Sequence, residues 1–124
     1  MSLSGKAWGR LGEALAEEHL CGLGWQILER NWVSPAGGEL DLVARDRGTL
    51  VFVEVKAFAH AGMGENPAVN VTPAKQRRVV RAARGYLCLL GRERDDCRFD
   101  VVAVRLDPAG GPPQVEHFEG AFFA

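Results

Sequence analysis

The sequence lacks long apolar runs and paired cysteines, and each absence argues against a class of protein. No apolar segment approaches the roughly 18 residues needed to cross a bilayer, so we expect no membrane-spanning segment. The first residues, Met1 to Lys6, have no apolar core of the kind that a secretory signal contains, which predicts a cytoplasmic protein. The cysteines Cys21, Cys88 and Cys97 are odd in number and form no CxxC pair. They predict reduced thiols, with Cys88 packed in a helix, rather than a disulfide framework or a zinc site.

The chain also lacks an overall excess of positive charge. Its formal net charge is −1, whereas counterion release favours an excess of Lys and Arg in proteins that bind nucleic acid. The charges are nevertheless separated along the chain. The first half concentrates the acids Glu13, Glu17, Glu18, Glu39, Asp41 and Glu54, and the second half has the acid-free cation group Lys75, Arg77, Arg78, Arg81 and Arg84. A basic stretch facing an acidic cluster is suited to an enzyme that binds a metal ion and a phosphate.

What the chain does have is an ordinary globular composition. Of its 124 residues, 47% are apolar and 25% are charged, which predicts one globular domain over residues 1–124. Periodicity and turn signals predict helices from about Ser4 to Leu23 and beginning at Thr72, and strands at Trp25 to Trp32, Glu39 to Arg45, Thr49 to Lys56, Arg98 to Leu106 and Gln114 to Phe118. The order α-β-β-β-α-β-β predicts an α/β fold with a mixed sheet, because the helical crossover makes the fourth strand parallel to a member of an antiparallel meander.

The second helix and the segment before it carry clear boundary signals. The stretch from Phe58 to Val71 is rich in Gly and Asn, which predicts a long loop. Thr72 is expected to cap the helix, and Pro73 to be its first residue. The apolar stripe expected to pack on the sheet comprises Val79, Ala83, Tyr86, Leu87 and Leu90.

The third predicted strand is apolar on both faces until it reaches two charged residues. Leu50 and Phe52 share one face of this strand with Glu54 and Lys56, and valines occupy the other face. A strand buried on both sides would continue with an apolar pair at these two positions. Because an unpaired buried charge is costly, Glu54 and Lys56 need partners.

Asp41 on the second strand is the expected partner of Glu54. The turn Asp46-Arg47-Gly48 joins the two strands in a hairpin, so both carboxylates can share a divalent cation. Mg²⁺, or Mn²⁺ in its place, keeps coordination positions open for water and a phosphate oxygen, as phosphodiester hydrolysis requires. Lys56, on the same face as Glu54, can orient the attacking water or stabilise charge on the phosphate.

The ExK triplet alone is more often a solvated ion pair on a half-exposed strand, but its context is more specific. The segment Gly38-Glu39-Leu40-Asp41-Leu42-Val43, a turn and then Val51-Phe52-Val53-Glu54-Val55-Lys56 resemble the hairpin of the PD-(D/E)XK nuclease superfamily. Within it the chain resembles the YraN family, which is endonuclease-like and similar to archaeal Holliday-junction resolvases. The resemblance also covers Gly12-Glu13, Gly24 to Trp32, Lys75-Gln76, Arg98 to Val102 and Ala121-Phe122.

The resemblance implies a restriction-endonuclease-like fold and metal-dependent cleavage of DNA, selective for branched or single-stranded structure rather than sequence. It matches the catalytic positions to Asp41, Glu54 and Lys56. Glu13 matches a helix carboxylate that can complete the metal site, although its position equally suits a solvated helix face. Glu39 is expected to cap or support the turn. A homodimer is implied by family analogy only.

The start of the second helix is the expected nucleic-acid-binding surface. Backbone N–H groups at a helix N-terminus already favour anions, and the resemblance puts Lys75 and Gln76 near the active site. A charge run of this kind can also simply solubilise an exposed helix, but the adjoining acidic site favours phosphate binding. The predicted binding residues are Lys75, Gln76, Arg77, Arg78 and Arg81.

The chain departs from the family pattern directly after Lys56. Where the family usually carries an Arg, this sequence has Ala57-Phe58, which removes a phosphate-binding candidate. This departure predicts weakened activity or a changed substrate. The alternative function is a nucleic-acid-binding or scaffolding protein that keeps the nuclease fold with weak or no hydrolysis.

The histidines are not expected to form a site. His19, His60 and His117 are too scattered to indicate a histidine-based metal centre, so they are expected at the surface or the edge of the core. The three tryptophans lie in patterned elements, which favours core packing over base stacking.

Overall fold

A computed structural model describes residues 5–59 and 71–124. Its elements are α1 (Gly5–Gly22), β1 (Gln26–Val33), β2 (Glu39–Asp46), β3 (Thr49–Ala59), α2 (Pro73–Leu89), β4 (Cys97–Leu106) and β5 (Gln114–Phe122). The predicted order α-β-β-β-α-β-β and the α/β class are confirmed.

The strands form one mixed sheet in the order β1-β2-β3-β4-β5. The first three strands are an antiparallel meander, closed between β2 and β3 by a tight turn with Asp46 opposite Thr49. β4 is parallel to β3, with Leu50 opposite Cys97, which confirms the crossover through α2. β5 returns antiparallel to β4 and forms the far edge.

Strand β3 is buried on both faces, as its sequence predicts. Leu50 and Phe52 belong to the apolar cluster that includes the inner side of α2. Val51 and Val53 belong to the cluster on the opposite face of the sheet, which includes Ala16 and Leu20 of α1. The sheet is therefore the middle layer between the two helices.

Strands β3 and β5 extend well beyond their predicted ends. β3 extends to Ala59, because its parallel pairing with β4 continues past Lys56. β5 extends to Phe122 rather than ending at Phe118. Gly120 adopts a positive φ of 59° where the pairing with β4 is irregular, and β5 then resumes so that Phe122 stacks on Phe99. The rest of the predicted loop, residues 60–70, lies outside the described residues.

Helix α2 begins as predicted but ends differently. The Thr72 hydroxyl accepts a hydrogen bond from the Lys75 N–H at 3.1 Å, and Pro73 occupies the first turn. The prediction that Leu90 packs on the sheet is wrong. Leu90 is the C-cap residue of α2, beyond the last turn whose side chains face the sheet, and it is 49% exposed. The packing predicted for Cys88 is also wrong, because Cys88 follows the buried Leu87 on the solvent side. Neither α1 nor α2 is long and apolar enough to span a bilayer.

Candidate functional site

Asp41 and Glu54 meet where β2 and β3 separate. The regular pairing of these strands ends at Leu42 opposite Val53, and Asp41 and Glu54 are the next residues. Beyond that pair, the Asp41 carboxylate accepts a hydrogen bond from the Val55 N–H, with 2.9 Å between Oδ2 and N. The two carboxyl groups also act on each other electrostatically, because the charge of Asp41 raises the pKa of Glu54. At this point the carboxylate of Asp41, rather than a backbone carbonyl of β2, accepts the hydrogen bond from β3.

An irregularity in β1 and β2 brings the Asp41 side chain to this position. Leu40 packs in the α2-side cluster and Leu42 in the α1-side cluster, although residues two apart in a regular strand share a face. Asn31, at the same level of β1, has a positive φ of 49°. Such local irregularities reorient side chains beside many functional sites.

Glu54 is a buried carboxyl group with unusual proton affinity. Its residue is only 6% exposed. Burial, followed by the negative charge of Asp41, raises the pKa of Glu54 to about 7, and Lys75 partly opposes this rise. The Lys75 Nζ lies 3.4 Å from Oε1 of Glu54. At neutral pH the carboxyl is therefore close to half-ionised, and Lys75 on α2 is its ion-pair partner.

The neighbouring acids share this excess of negative charge. Burial raises the pKa of Asp41, against the opposing effects of the Val55 hydrogen bond and Lys75. Burial and then the charge of Asp41 raise the pKa of Glu13, and the side chain of Asn31 partly opposes this rise. The charged forms of neighbouring carboxylates with raised pKa values are stabilised by an added cation.

The donor set fits a hard divalent ion held by few protein ligands. Asp41 and Glu54 supply two carboxylates, and Glu13 interacts electrostatically with Asp41 from α1. Over residues 5–59 and 71–124, no three His, Cys, Asp or Glu side chains are grouped closely enough to hold a metal by themselves. Mg²⁺ is commonly bound by one or two carboxylates with water in its other positions. The predicted Mg²⁺ set of Asp41, Glu54 and Glu13 stays a prediction.

A close helix–strand contact holds Glu13 near this site. A Cβ built on Gly12 would lie 2.5 Å from the Cβ of Ala57, so α1 approaches β3 more closely than any side chain at residue 12 would allow. Glu13 is the next residue along α1.

Ala57 follows Lys56, which is half-buried and, by strand alternation, on the same face as Glu54. The guanidinium of Arg105 on β4 lies 5.3 Å from the ring centre of Phe58.

Helix α2 is fixed to the β1–β2 turn by a second close contact. Gly38 has a φ of +92°, and a Cβ there would lie 2.9 Å from the Arg78 carbonyl oxygen. The exposed Glu39 follows Gly38 and lines a groove of about 370 Å³ with Lys75 and Arg78. Lys75 and Arg78 therefore face the side of the molecule that carries the acids.

Sequence comparison identifies the family. The model of a family described as "Uncharacterised protein family UPF0102" matches residues 12–104, which include the whole acidic site. The chain belongs to the UPF0102 family. This is the YraN family predicted from the sequence.

Similarity to UPF0102 relatives extends over almost the whole chain. A UPF0102 protein of Symbiobacterium thermophilum is 49% identical over 102 residues, covering 82% of this chain and 85% of the relative. One from Geobacter sulfurreducens is 45% identical over 118 residues, covering 94% of this chain and 89% of the relative. One from Chlorobium limicola is 41% identical over 119 residues, covering 93% of this chain and 91% of the relative.

In this UPF0102 protein the predicted nucleic-acid-binding residues are divided between two flanks of α2. Lys75 and Arg78 face the acidic site. Arg77 and Arg81 line a different groove, of about 460 Å³, which we name the arginine groove; its other lining residues include Gln76, Val80, Arg84 and Phe123. The Gln76 side-chain amide donates a hydrogen bond to the Val71 carbonyl at 2.9 Å and so holds the start of the helix.

Sequence reasoning missed a buried polar network on this UPF0102 fold. Asp100 is fully buried and accepts hydrogen bonds from Arg98 Nε at 2.9 Å, His117 Nε2 at 2.8 Å and the Gly120 N–H at 3.0 Å. Burial alone would raise the pKa of Asp100, but these hydrogen bonds and the Arg98 charge together lower it. His117 Nδ1 in turn lies 3.2 Å from His19 Nε2 on α1. An acid inside the apolar strand segment around residue 100 was the available signal. His60 lies outside the described residues.

Proposed function

We propose that this UPF0102 protein is a Mg²⁺-dependent endonuclease that hydrolyses phosphodiester bonds in DNA and selects branched or single-stranded structure rather than sequence. The observation that carries the proposal is the placement of half-buried Asp41 beside buried Glu54 where β2 and β3 separate, with Lys75 Nζ 3.4 Å from Glu54. Half-buried Asp41 and buried Glu54, both with raised pKa values, destabilise the fold when both are charged, and such charge clusters are typical of functional sites.

Asp41 and Glu54 are the residues that would hold Mg²⁺, or Mn²⁺ in its place, with Glu13 approaching from α1. The ion, when bound, supplies Lewis acidity towards a phosphate oxygen and lowers the pKa of a bound water. Lys56 presents its ammonium group on the Glu54 face, where it can stabilise negative charge that develops on the phosphate. Glu39 adds to the negative field at Asp41 from the start of β2.

Lys75 has two roles in this proposal. Without a metal ion it pairs with Glu54 and offsets part of the cost of burying that carboxylate. With the acids neutralised by a cation, Lys75 is available to contact a backbone phosphate together with Arg78 in the same groove. The helix N-terminus, capped by Thr72, reinforces anion binding there.

Selection by shape rather than sequence is consistent with the packing of the helices. Sequence readout requires side chains presented to base edges, usually by a helix or ribbon that enters a groove. α1 packs on one face of the sheet and α2 on the other, and the exposed side of α2 carries arginines suited to phosphates. The proposed partner is DNA, the proposed location is cytoplasmic, and a homodimer would place two sites on one branched substrate.

One observation favours the second candidate, a nucleic-acid-binding protein with little or no hydrolysis. Glu54 is already paired with Lys75, and Asp41 accepts a hydrogen bond from the Val55 N–H, so both acids have partners without a metal ion. A site satisfied in this way can persist in a protein that has lost cleavage but keeps the basic surface of α2.

A cleavage panel separates these two functions. Duplex, single-stranded, flap and four-way-junction DNA would be incubated with the protein in Mg²⁺, in Mn²⁺ and in chelator. The nuclease proposal expects metal-dependent cuts, most rapid on branched or single-stranded substrates, that are abolished in Asp41→Asn and retained in the exposed control Asp95→Asn. Binding without cleavage under every metal condition would favour the second candidate, and cleavage retained in Asp41→Asn would overturn the site.

A further inference from the structure

The arginine groove lies on the flank of α2 that faces away from Lys75 and Arg78. Arg77, Arg81 and Arg84 follow one another at helical spacing and line the groove together. All three side chains are exposed. The groove volume, about 460 Å³, is within the range of sites that hold small ligands.

The three guanidinium groups are not neutralised by the part of the chain that the structure describes. The ion pairs there involve other cations, among them Arg30, Lys75, Arg92 and Arg98. Three unpaired arginines in one concave surface produce a positive field that attracts a polyanion. Phosphate is an anion that the planar guanidinium can bind through a pair of parallel hydrogen bonds.

An aromatic ring stands at the edge of the same groove. Phe122 is buried at the end of β5 and stacks on Phe99, whereas its neighbour Phe123 is 85% exposed and lines the groove. Solvation of a helix face explains exposed arginines, but it gives no reason for an exposed phenyl ring beside them. Strand β5 anchors one ring in the core and presents the next to solvent.

We infer that the arginine groove binds an unpaired nucleic-acid strand, with Arg77, Arg81 and Arg84 on its phosphates and Phe123 stacked on a base. Positively charged grooves combined with aromatic stacking platforms are the general means of binding single strands. A phenyl ring reaches the face of a base only where that base is not stacked in a duplex. The exposed ring therefore favours a single strand over a duplex.

This inference rests on the proposed function, because it identifies a second part of the same substrate. The groove with Lys75 and Arg78 leads to the acidic site, and the arginine groove lies across α2 from it. The helix is then a ridge between two strands that diverge, so a fork or junction would occupy both grooves at once. That arrangement gives structure selectivity a physical basis.

The test is a binding experiment in chelator, where no metal-dependent cleavage occurs. Fluorescence anisotropy would measure the affinity of labelled oligothymidylate and of a hairpin duplex over a range of salt concentrations. The charge variant is Arg81→Gln with Arg84→Gln, and its control is Arg47→Gln with Arg94→Gln, two exposed arginines outside the groove. The ring variants are Phe123→Ala and Phe123→Trp, and their control is Leu89→Ala, which alters another exposed apolar residue.

The charge variant should weaken single-strand binding and reduce its salt slope by about 1.4, since each phosphate contact contributes roughly 0.7. Phe123→Ala should weaken single-strand binding by about 5- to 100-fold with an unchanged salt slope, spare the duplex, and be rescued by Phe123→Trp. Both controls should bind like the wild type.

The inference would be overturned by no single-strand binding by the wild type, by variants indistinguishable from their controls, or by equal losses on duplex and single strand. A loss confined to the charge variant would mean that the groove contacts phosphates without stacking, and this too contradicts it. Because binding is measured without metal, these results are independent of whether the acidic site cleaves DNA.

Discussion

Gly12 of α1 lies directly against Ala57 of β3, at a separation where a Cβ on residue 12 would be 2.5 Å from the Ala57 Cβ. Both atoms are close to rigid backbone, so neither can move aside as the end of a flexible side chain could. The contact determines how near Glu13 comes to Asp41. It therefore connects the packing of α1 to the electrostatics of the acidic site.

Gly12→Ala should force α1 away from β3. We expect it to lower the free energy of unfolding by about 1–3 kcal/mol, which outweighs the gain in helix propensity. The control Gly9→Ala, where an added Cβ would meet nothing within 4 Å, should be neutral or stabilising. Urea denaturation measures both, and adding Ala57→Gly should rescue Gly12→Ala. Equal stability of the two alanine variants would contradict this contact.

Glu54→Gln should stabilise the protein at high pH only. The folded-state pKa of Glu54, about 7, is raised from 4.5, so its contribution to stability is fully present below pH 4.5 and is lost as pH rises through 7. The amide side chain of this variant does not titrate. In chelator at pH 8 its free energy of unfolding should exceed that of the wild type by on the order of 2 kcal/mol. Near pH 4 the difference should vanish. Denaturation at both pH values, with the exposed Glu93→Gln as control, checks this; a difference independent of pH would count against it.

Lys75→Met should raise the affinity of the acidic site for Mn²⁺ at pH 8. The Lys75 ammonium lies 3.4 Å from Glu54 and opposes a second cation there. We expect at least about a fivefold gain in affinity by isothermal titration calorimetry. Arg78→Met, in the same groove but outside the ion pair, is the control. Unchanged or weaker binding in Lys75→Met would show that a metal does not compete with this lysine.

Lys56→Ala should separate turnover from metal binding. Its ammonium group is proposed to stabilise charge on the phosphate, so single-turnover cleavage should fall by about 100- to 1,000-fold. Mn²⁺ affinity should stay close to that of the wild type. The exposed Lys6→Ala is the control for a lost surface cation. A parallel loss of metal affinity in Lys56→Ala would contradict the proposed role.

His19→Gln should reduce the acid sensitivity of the fold. Burial and then the neighbouring His117 lower the pKa of His19 below its ordinary 6.5. Its contribution to stability is therefore present above pH 6.5 and is lost as pH falls below that value. Gln can keep a hydrogen bond to His117 without titrating. Thermal denaturation between pH 7 and 5 should show a flatter profile than in the exposed control Glu18→Gln; identical slopes would contradict it.

The sequence was sufficient to predict the features that depend on local pattern. The two apolar faces of β3, the Thr72 and Pro73 helix start and the meeting of Asp41 with Glu54 all follow from periodicity, capping chemistry and a tight turn. Such signals involve residues that are neighbours in the chain or across one hairpin.

Features that depend on distant contacts were not predicted. His19, Asp100 and His117 come from three elements, and their hydrogen bonds exist only once α1 packs beside β4 and β5. The spacing of the arginines in α2 implies that they lie on more than one side of the helix. Which flank faces the acids, however, depends on the packing of Gly38 against Arg78.

The parallel pairing of β3 with β4 has a consequence for the order of folding. The β2–β3 hairpin closes across one tight turn, whereas Leu50 pairs with Cys97 only after the intervening chain and α2 are in place. Local contacts cost less loop-closure entropy and form earlier. Asp41 and Glu54 would then be brought together before Lys75 arrives to compensate them.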